Sequence, residues 1–137
     1  MRLIIETDLG HDPDDFFAIT YLVAAGVDIA AILVAAGDPD QIAIARLIVR
    51  ELGLDIPVGA ASLRRTKLSS GSIHHELIDR YGYALTERPD GLGQEMIYNV
   101  MEDDTREDVE AFAIGPVSSI GEYLRGPYAK EWPFSRA

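Results

Sequence analysis

Short apolar runs alternate along the chain with longer stretches in which apolar residues recur every three or four positions. Short runs bounded by turn residues predict strands, and the wider spacing predicts amphipathic helices. The predicted strands are Arg2–Thr7 and residues 29–36, 56–59 and 109–114. Residues 29–36 are apolar at every position, which is typical of a strand covered on both faces in the centre of a parallel sheet.

Helices are predicted between these strands. Within residues 39–52, the apolar side chains of Ile42, Ala45, Val49 and Leu52 share one helix face. Further helices are predicted over residues 16–26, 73–81, 92–102 and 118–124. The alternation predicts an α/β fold with a Rossmann-like, three-layer arrangement and a mostly parallel sheet of about four strands.

The length of 137 residues indicates one domain, which we assign to residues 1–125, followed by an irregular tail with aromatic residues and prolines at 126–137. The formal charge of −11 disfavours nucleic acids and anionic membranes as partners and favours cations. Cysteine is absent, which excludes disulfides and thiolate metal sites. The start MRLIIETD carries no signal-peptide pattern, so we expect a cytoplasmic protein.

Four aspartates occur within eight residues, between the first predicted strand and the first predicted helix: Asp8, Asp12, Asp14 and Asp15. A hard cation such as calcium or magnesium would neutralise their mutual repulsion. Helix capping is the alternative, with Asp12 as the N-cap, Pro13 in the first turn, and Asp14 and Asp15 at the positive helix end. Capping leaves Asp8 unexplained, because Asp8 follows the strand directly.

A second acidic turn, GDPDQ at residues 37–41, follows the second predicted strand. Asp38 and Gln41 have the spacing of a capping box, and Pro39 suits the first helical turn. Carboxyl ends of parallel strands share one edge of a sheet, so Asp38 is also expected beside the first acidic loop. A ligand held by both loops would be rich in hydroxyl groups, as a sugar is.

Two adjacent histidines, His74 and His75, precede or begin a predicted helix. Their side chains point in different directions, so at most one of them would serve a site. Either could donate a proton near neutral pH, and an exposed surface pair is the alternative interpretation.

The string IIETDLGHDPDDFFAITYLVAAG resembles the N-terminal signature of the inosine-uridine-preferring nucleoside hydrolases, in which a strand precedes an Asp-rich DxDPGxDDAxAL-type loop. Three other segments are similar to later parts of that family: VDIAAILVAAGDPDQ to its second strand and Gly-Asn turn, LGLDIPVGAAS to its third strand, and AFAIGPVSSIGEYL to its fourth strand and the "GPLTNIA" segment. The resemblance covers roughly residues 2–125.

The resemblance implies a calcium ion, with magnesium as the alternative, that holds a water molecule and two ribose hydroxyls. By resemblance, the ligands would be Asp8, Asp15, Asp12 and the backbone carbonyl of Ile114. Asp12 or Asp14 would be the base that activates the water. Asp38 would contact the ribose, and His74 or His75 would border the pocket for the base. The reaction implied is hydrolysis of the N-glycosidic bond of a ribonucleoside.

The sequence departs from the family in several places. Five residues, rather than three, separate Asp8 from the Asp14–Asp15 pair, Glu6 replaces an aspartate, and Asp38 replaces an asparagine. Full-length members are more than twice as long, and their second half supplies a further calcium ligand, more ribose contacts and the leaving-group acid. The expectation is therefore a nucleoside hydrolase-like protein that binds a divalent cation and a ribosyl ligand. The alternative is a non-catalytic module that forms a homodimer or binds a partner.

Overall fold

The computed structural model describes residues 1–10, 12–35, 37–61, 80, 87–103 and 108–126. Its strands are β1 (Arg2–Thr7), β2 (Asp28–Val34), β3 (Val58–Ala60), β4 (Gly91–Leu92) and β5 (Val109–Ala113). Its helices are α1 (Asp14–Ala24), α2 (Pro39–Glu51), α3 (Gly93–Asp103) and α4 (Ser118–Arg125). The predicted α/β class is confirmed.

The described strands form one sheet in the order β4-β3-β2-β1-β5, and every pairing is parallel. The predicted parallel sheet is therefore confirmed, with five strands instead of about four. The additional strand, β4, contains only two residues, which is too short for a periodic pattern to reveal. Because all the described strands run in one direction, the carboxyl ends of β1, β2, β3 and β5 lie along one edge of the sheet.

Each face of the sheet is covered by its own hydrophobic cluster, which gives the predicted three layers. Leu3 and Ile5 of β1 face one cluster, together with apolar residues of α1 and α2. Ile4, which lies between them, faces the other cluster with residues of α3 and α4. In β2, the six residues that follow Asp28 are all buried, as expected for a strand covered on both faces.

A buried acid connects β1 to α4. The Glu6 side chain is 0% exposed, and its carboxylate accepts hydrogen bonds from the backbone N–H groups of Ser119 (2.5 Å) and Ile120 (3.1 Å). Burial raises the pKa of Glu6, and these hydrogen bonds act in the opposite direction. The carboxylate also complements the positive end of α4. The Glu6 carboxylate thus caps the first turn of α4 from a neighbouring strand.

A second polar contact connects α2 to the start of β3. Arg46 donates through Nη2 to Oδ1 of Asp90 (2.9 Å) and to the backbone carbonyl of Arg88 (2.7 Å). The other carboxylate oxygen of Asp90 accepts a hydrogen bond from the backbone N–H of Val58 (2.8 Å). Partial burial raises the pKa of Asp90, but hydrogen bonds from Arg46 and Val58, with the charge of Arg46, lower it overall.

Two predictions lie outside the described residues: the helix over 73–81, apart from residue 80, and the tail over 126–137, apart from residue 126. The division of the chain into residues 1–125 and 126–137 therefore stays a prediction. Among the helices that are described, none has the length and apolar character that a bilayer-spanning segment needs.

We expect Asp90→Asn to lower the free energy of unfolding at pH 7 by about 1 kcal/mol, since the Asp90 side chain is 41% exposed and solvent screens its charge. The folded-state pKa is lowered, so this stabilisation exists above the ordinary pKa of 3.8 and disappears as the pH falls through the folded value. Urea unfolding of wild type and variant between pH 7 and pH 2.5 measures the difference. Asp55→Asn, at an exposed position, is the control. A difference that persists unchanged at the lowest pH would contradict this account.

Candidate functional site

The first acidic loop connects the carboxyl end of β1 to α1, and its four aspartates have different environments. Asp8 is half-buried and Asp15 is only 5% exposed, whereas Asp12 and Asp14 are exposed. The side chains of Asp8 and Asp15 lie within hydrogen-bonding reach of each other. We call Asp8 and Asp15 the inner pair.

The inner pair brings two carboxyl groups close together where both are at least partly buried. Burial is the largest cause that raises the pKa of Asp15, to about 6, and the neighbouring carboxyls of Asp8 and Asp14 raise it further. The Thr7 hydroxyl acts in the opposite direction, because it donates a hydrogen bond to Oδ2 of Asp15 at 2.9 Å. Two carboxylates this close repel each other, and a bound cation would relieve that repulsion.

The prediction that Asp12 is the N-cap of the first helix is wrong. The helix begins at Asp14, and the residue in the N-cap position is Pro13, with helical φ and ψ of −78° and −10° and no side-chain cap. The first intrahelical hydrogen bond runs from the N–H of Phe17 to the carbonyl of Pro13 (3.2 Å), so Pro13 rather than Asp12 lies in the N-cap position. Asp14 and Asp15 do lie in that turn, where carboxylates complement the helix dipole.

The residues that follow β5 reach the inner pair from the neighbouring strand. The backbone N–H of Ile114 donates to the carbonyl of Glu6 (2.9 Å), which continues the pairing of β5 with β1. At Gly115, an added Cβ atom would lie 2.6 Å from both the backbone nitrogen and Oδ1 of Asp8. Only glycine therefore leaves room for the Asp8 carboxylate, and the structure places Gly115, the residue after Ile114, beside it.

The second acidic turn contacts the first through Gln41. The capping box predicted for Asp38 is confirmed, with the backbone N–H of Asp38 donating to Oε1 of Gln41 (3.2 Å). Nε2 of the same side chain donates to the backbone carbonyl of Asp8 (3.4 Å). A Cβ on Gly10, whose φ is +115°, would lie 2.9 Å from Cγ of Gln41. The expected proximity of the two loops is present, and sequence reasoning missed that Gln41 creates it.

The donor atoms at this edge suit a hard cation, which prefers carboxylate and carbonyl oxygens. Asp8 and Asp15 supply two neighbouring carboxylates, and Gly115 lies against Asp8. Within the described residues there is no group of three or more His, Asp or Glu side chains arranged to hold a metal ion. The residues fit calcium or magnesium as part of a coordination shell, whose remaining oxygens would come from backbone, water or ligand.

The remaining predicted site residues, among them Asp38 and Asp12, are not members of the inner pair. Asp38 is buried at 6% exposure at the start of α2, and Asp12 lies on the exposed side of its loop. His74 and His75 lie outside the described residues, so their predicted place at the base pocket stays a prediction.

The described fold is similar to part of a nucleoside hydrolase, as a comparison with solved structures shows. One similar structure is an Inosine-Guanosine Nucleoside Hydrolase (IG-NH), with a TM-score of 0.67 and 21% sequence identity. The match covers 90% of this chain and 42% of the hydrolase chain, so this chain spans less than half of that protein's length. No protein-family model and no curated protein sequence matches the chain. At this identity the likeness concerns the fold alone.

We expect Gly115→Ala to destabilise the protein by about 1–3 kcal/mol, because its methyl group would displace the backbone and carboxylate of Asp8. Gly121→Ala in α4 is the matched control, since its Cβ would approach only the mobile end of Arg125 (3.3 Å). That control should be neutral or stabilising by about 0.5–1 kcal/mol, as is usual for glycine to alanine inside a helix. Chemical unfolding measures both, and equal effects would contradict the close contact at Gly115.

Proposed function

We propose that this chain is a nucleoside hydrolase-like domain that binds calcium at the inner pair and, through it, the ribose of a nucleoside. The observation that supports this proposal is the inner pair itself. Two partly buried carboxylates lie together at the edge of the sheet where α/β folds bind ligands, beside a glycine that leaves them space. A structural role alone would not require two like charges in contact.

Each site residue would have its own role. Asp8 and Asp15 would hold the cation, with Asp12 and the carbonyl of Ile114 as further ligands. Asp12 or Asp14, both exposed to solvent, accepts the proton of the attacking water. When bound, calcium or magnesium lowers the pKa of a water molecule and orients ribose hydroxyls. Asp38 would accept a hydrogen bond from a ribose hydroxyl, and His74 or His75 would border the base.

Cleavage of the N-glycosidic bond is the stronger form of this proposal. Hydrolysis also needs an acid for the leaving base, and general acid–base groups typically contribute about 10²–10⁴-fold to a rate. A domain with the cation and the ribose contacts but without that acid would bind nucleosides and cleave them slowly. Cation binding and cleavage are therefore tested separately.

We expect millimolar calcium to raise the unfolding midpoint of the wild type relative to excess chelator. Saturation at about one hundred times the dissociation constant adds about 2.7 kcal/mol, which for a domain of this size is on the order of 10 °C. Asp8→Asn should abolish the rise, whereas Asp55→Asn, which removes the same charge at an exposed turn, should retain it. Magnesium in place of calcium identifies the preferred metal.

Two results would overturn the proposal. One is a wild-type midpoint that calcium and magnesium both leave unchanged, and the other is an Asp8→Asn variant that responds as the wild type does. The catalytic form is tested by release of ribose from inosine or uridine at high protein concentration with calcium. If no ribose appears above the buffer rate while calcium still binds, the domain binds cations without hydrolysing nucleosides.

The second candidate function is self-association through β5. Within the described part of the chain, β5 pairs with β1 alone and forms an edge of the sheet. Its Phe112 side chain is 45% exposed, and Val117 and Leu124 nearby in sequence are exposed as well. Edge strands with apolar side chains favour pairing with another strand, here that of a second copy.

This candidate predicts a dimer that Phe112→Lys disrupts, because a lysine on an edge strand opposes strand pairing. Phe17→Lys is the control, since Phe17 is 65% exposed on α1 rather than on the edge strand. Light scattering over a range of concentrations measures the mass of each variant. A strictly monomeric wild type, or equal dissociation of both variants, would refute pairing through β5.

A further inference from the structure

A threonine occupies the last position of the central strand β1, where an apolar side chain would be expected. Thr7 is 0% exposed and lies between Glu6 and Asp8 in the sequence. A buried hydroxyl is costly unless its hydrogen-bonding capacity is used. The partners of this hydroxyl therefore indicate what Thr7 contributes.

The hydroxyl of Thr7 has a partner on each side. It accepts a hydrogen bond from the backbone N–H of Leu9 (3.0 Å) and donates its single hydrogen to Oδ2 of Asp15 (2.9 Å). Because an ionised carboxylate can only accept a hydrogen bond, the hydrogen of the hydroxyl is directed towards Asp15. The side chain thus connects the end of β1, the turn of the acidic loop and the first turn of α1.

We infer that Thr7 is a positioning residue of the cation site, whose hydroxyl orients the Asp15 carboxylate beside Asp8. The inference rests on the proposed function and names a residue on which that site depends. Without the hydroxyl, the Asp15 carboxylate is free to turn away from Asp8, since the two like charges repel each other. Groups that orient metal ligands in this way typically change metal affinity by about 10–100-fold when removed.

The test compares substitutions of Thr7 that separate its hydroxyl from its shape. Thr7→Val keeps the branched side chain and removes the hydroxyl, and Thr7→Ser keeps the hydroxyl and removes a methyl group. Thr20→Val is the matched control, because the Thr20 hydroxyl donates only within α1, to the carbonyl of Phe16 (2.7 Å). Titration calorimetry with calcium chloride measures affinity, and the unfolding midpoint in chelator measures the folded state of each variant.

We expect Thr7→Val to bind calcium at least about tenfold more weakly than the wild type, and Thr7→Ser and Thr20→Val to bind within about threefold of it. Thr7→Cys is the second variant if Thr7→Val does not fold, because its thiol is only a weak hydrogen-bond donor on an unbranched side chain like that of serine. Its affinity should lie between those of the serine and valine variants. A purely structural role would lower the midpoint in chelator and leave calcium affinity unchanged.

The outcomes separate this inference from the proposed function. If the wild type binds calcium and the folded valine or cysteine variant binds it equally well, the role of Thr7 is refuted and the cation site stands. If the wild type binds neither calcium nor magnesium, the proposed function fails and the inference fails with it.

Discussion

The structure around β1 depends on the burial of negative charge at the carboxyl end of one central strand. Glu6, Asp8 and Asp15 are all at least partly withdrawn from water, in a protein whose formal charge is −11. Burying a carboxylate is costly unless donors replace the lost water. The fold supplies them from distant parts of the chain, with the N–H groups of α4 for Glu6 and the Thr7 hydroxyl for Asp15. These hydrogen bonds connect α1 and α4 to the end of β1.

Much of the fold could be predicted because its signals are local. The fully apolar second strand, the alternation of strands and helices, and the Asp38–Gln41 capping box each depend on residues close in sequence. The two-residue strand β4 could not be predicted, since Gly91 and Leu92 are paired by their position beside β3 rather than by any pattern. The prediction from local sequence was also wrong at Asp12. The helix begins at Asp14, and Pro13, one position after Asp12, lies in the N-cap position.

The candidate site was predictable in its aspartates and not in its supporting contacts. The cluster of acids indicated this loop from sequence alone, but the separation into an inner pair and two exposed residues depends on how α1 packs. Glu6 reaches amides 113 and 114 positions away, and Gln41 reaches a carbonyl 33 positions away. No sequence pattern encodes contacts of such separation. Thr7 lies only eight positions from Asp15, but its contact could not be predicted because threonine is common in strands.

Cation binding and nucleoside hydrolysis make different demands on this chain. The contacts that shape the inner pair come from β1, α1 and the end of β5, all of which are described and mutually packed. Hydrolysis adds the need for a leaving-group acid and for contacts that hold the ribose in line with the attacking water. The fold likeness covers 42% of a nucleoside hydrolase chain and concerns the fold alone, so neither demand is met by likeness. The proposed cation site draws its residues from the described part of the chain, whereas the proposed catalysis would require further groups in addition to that site.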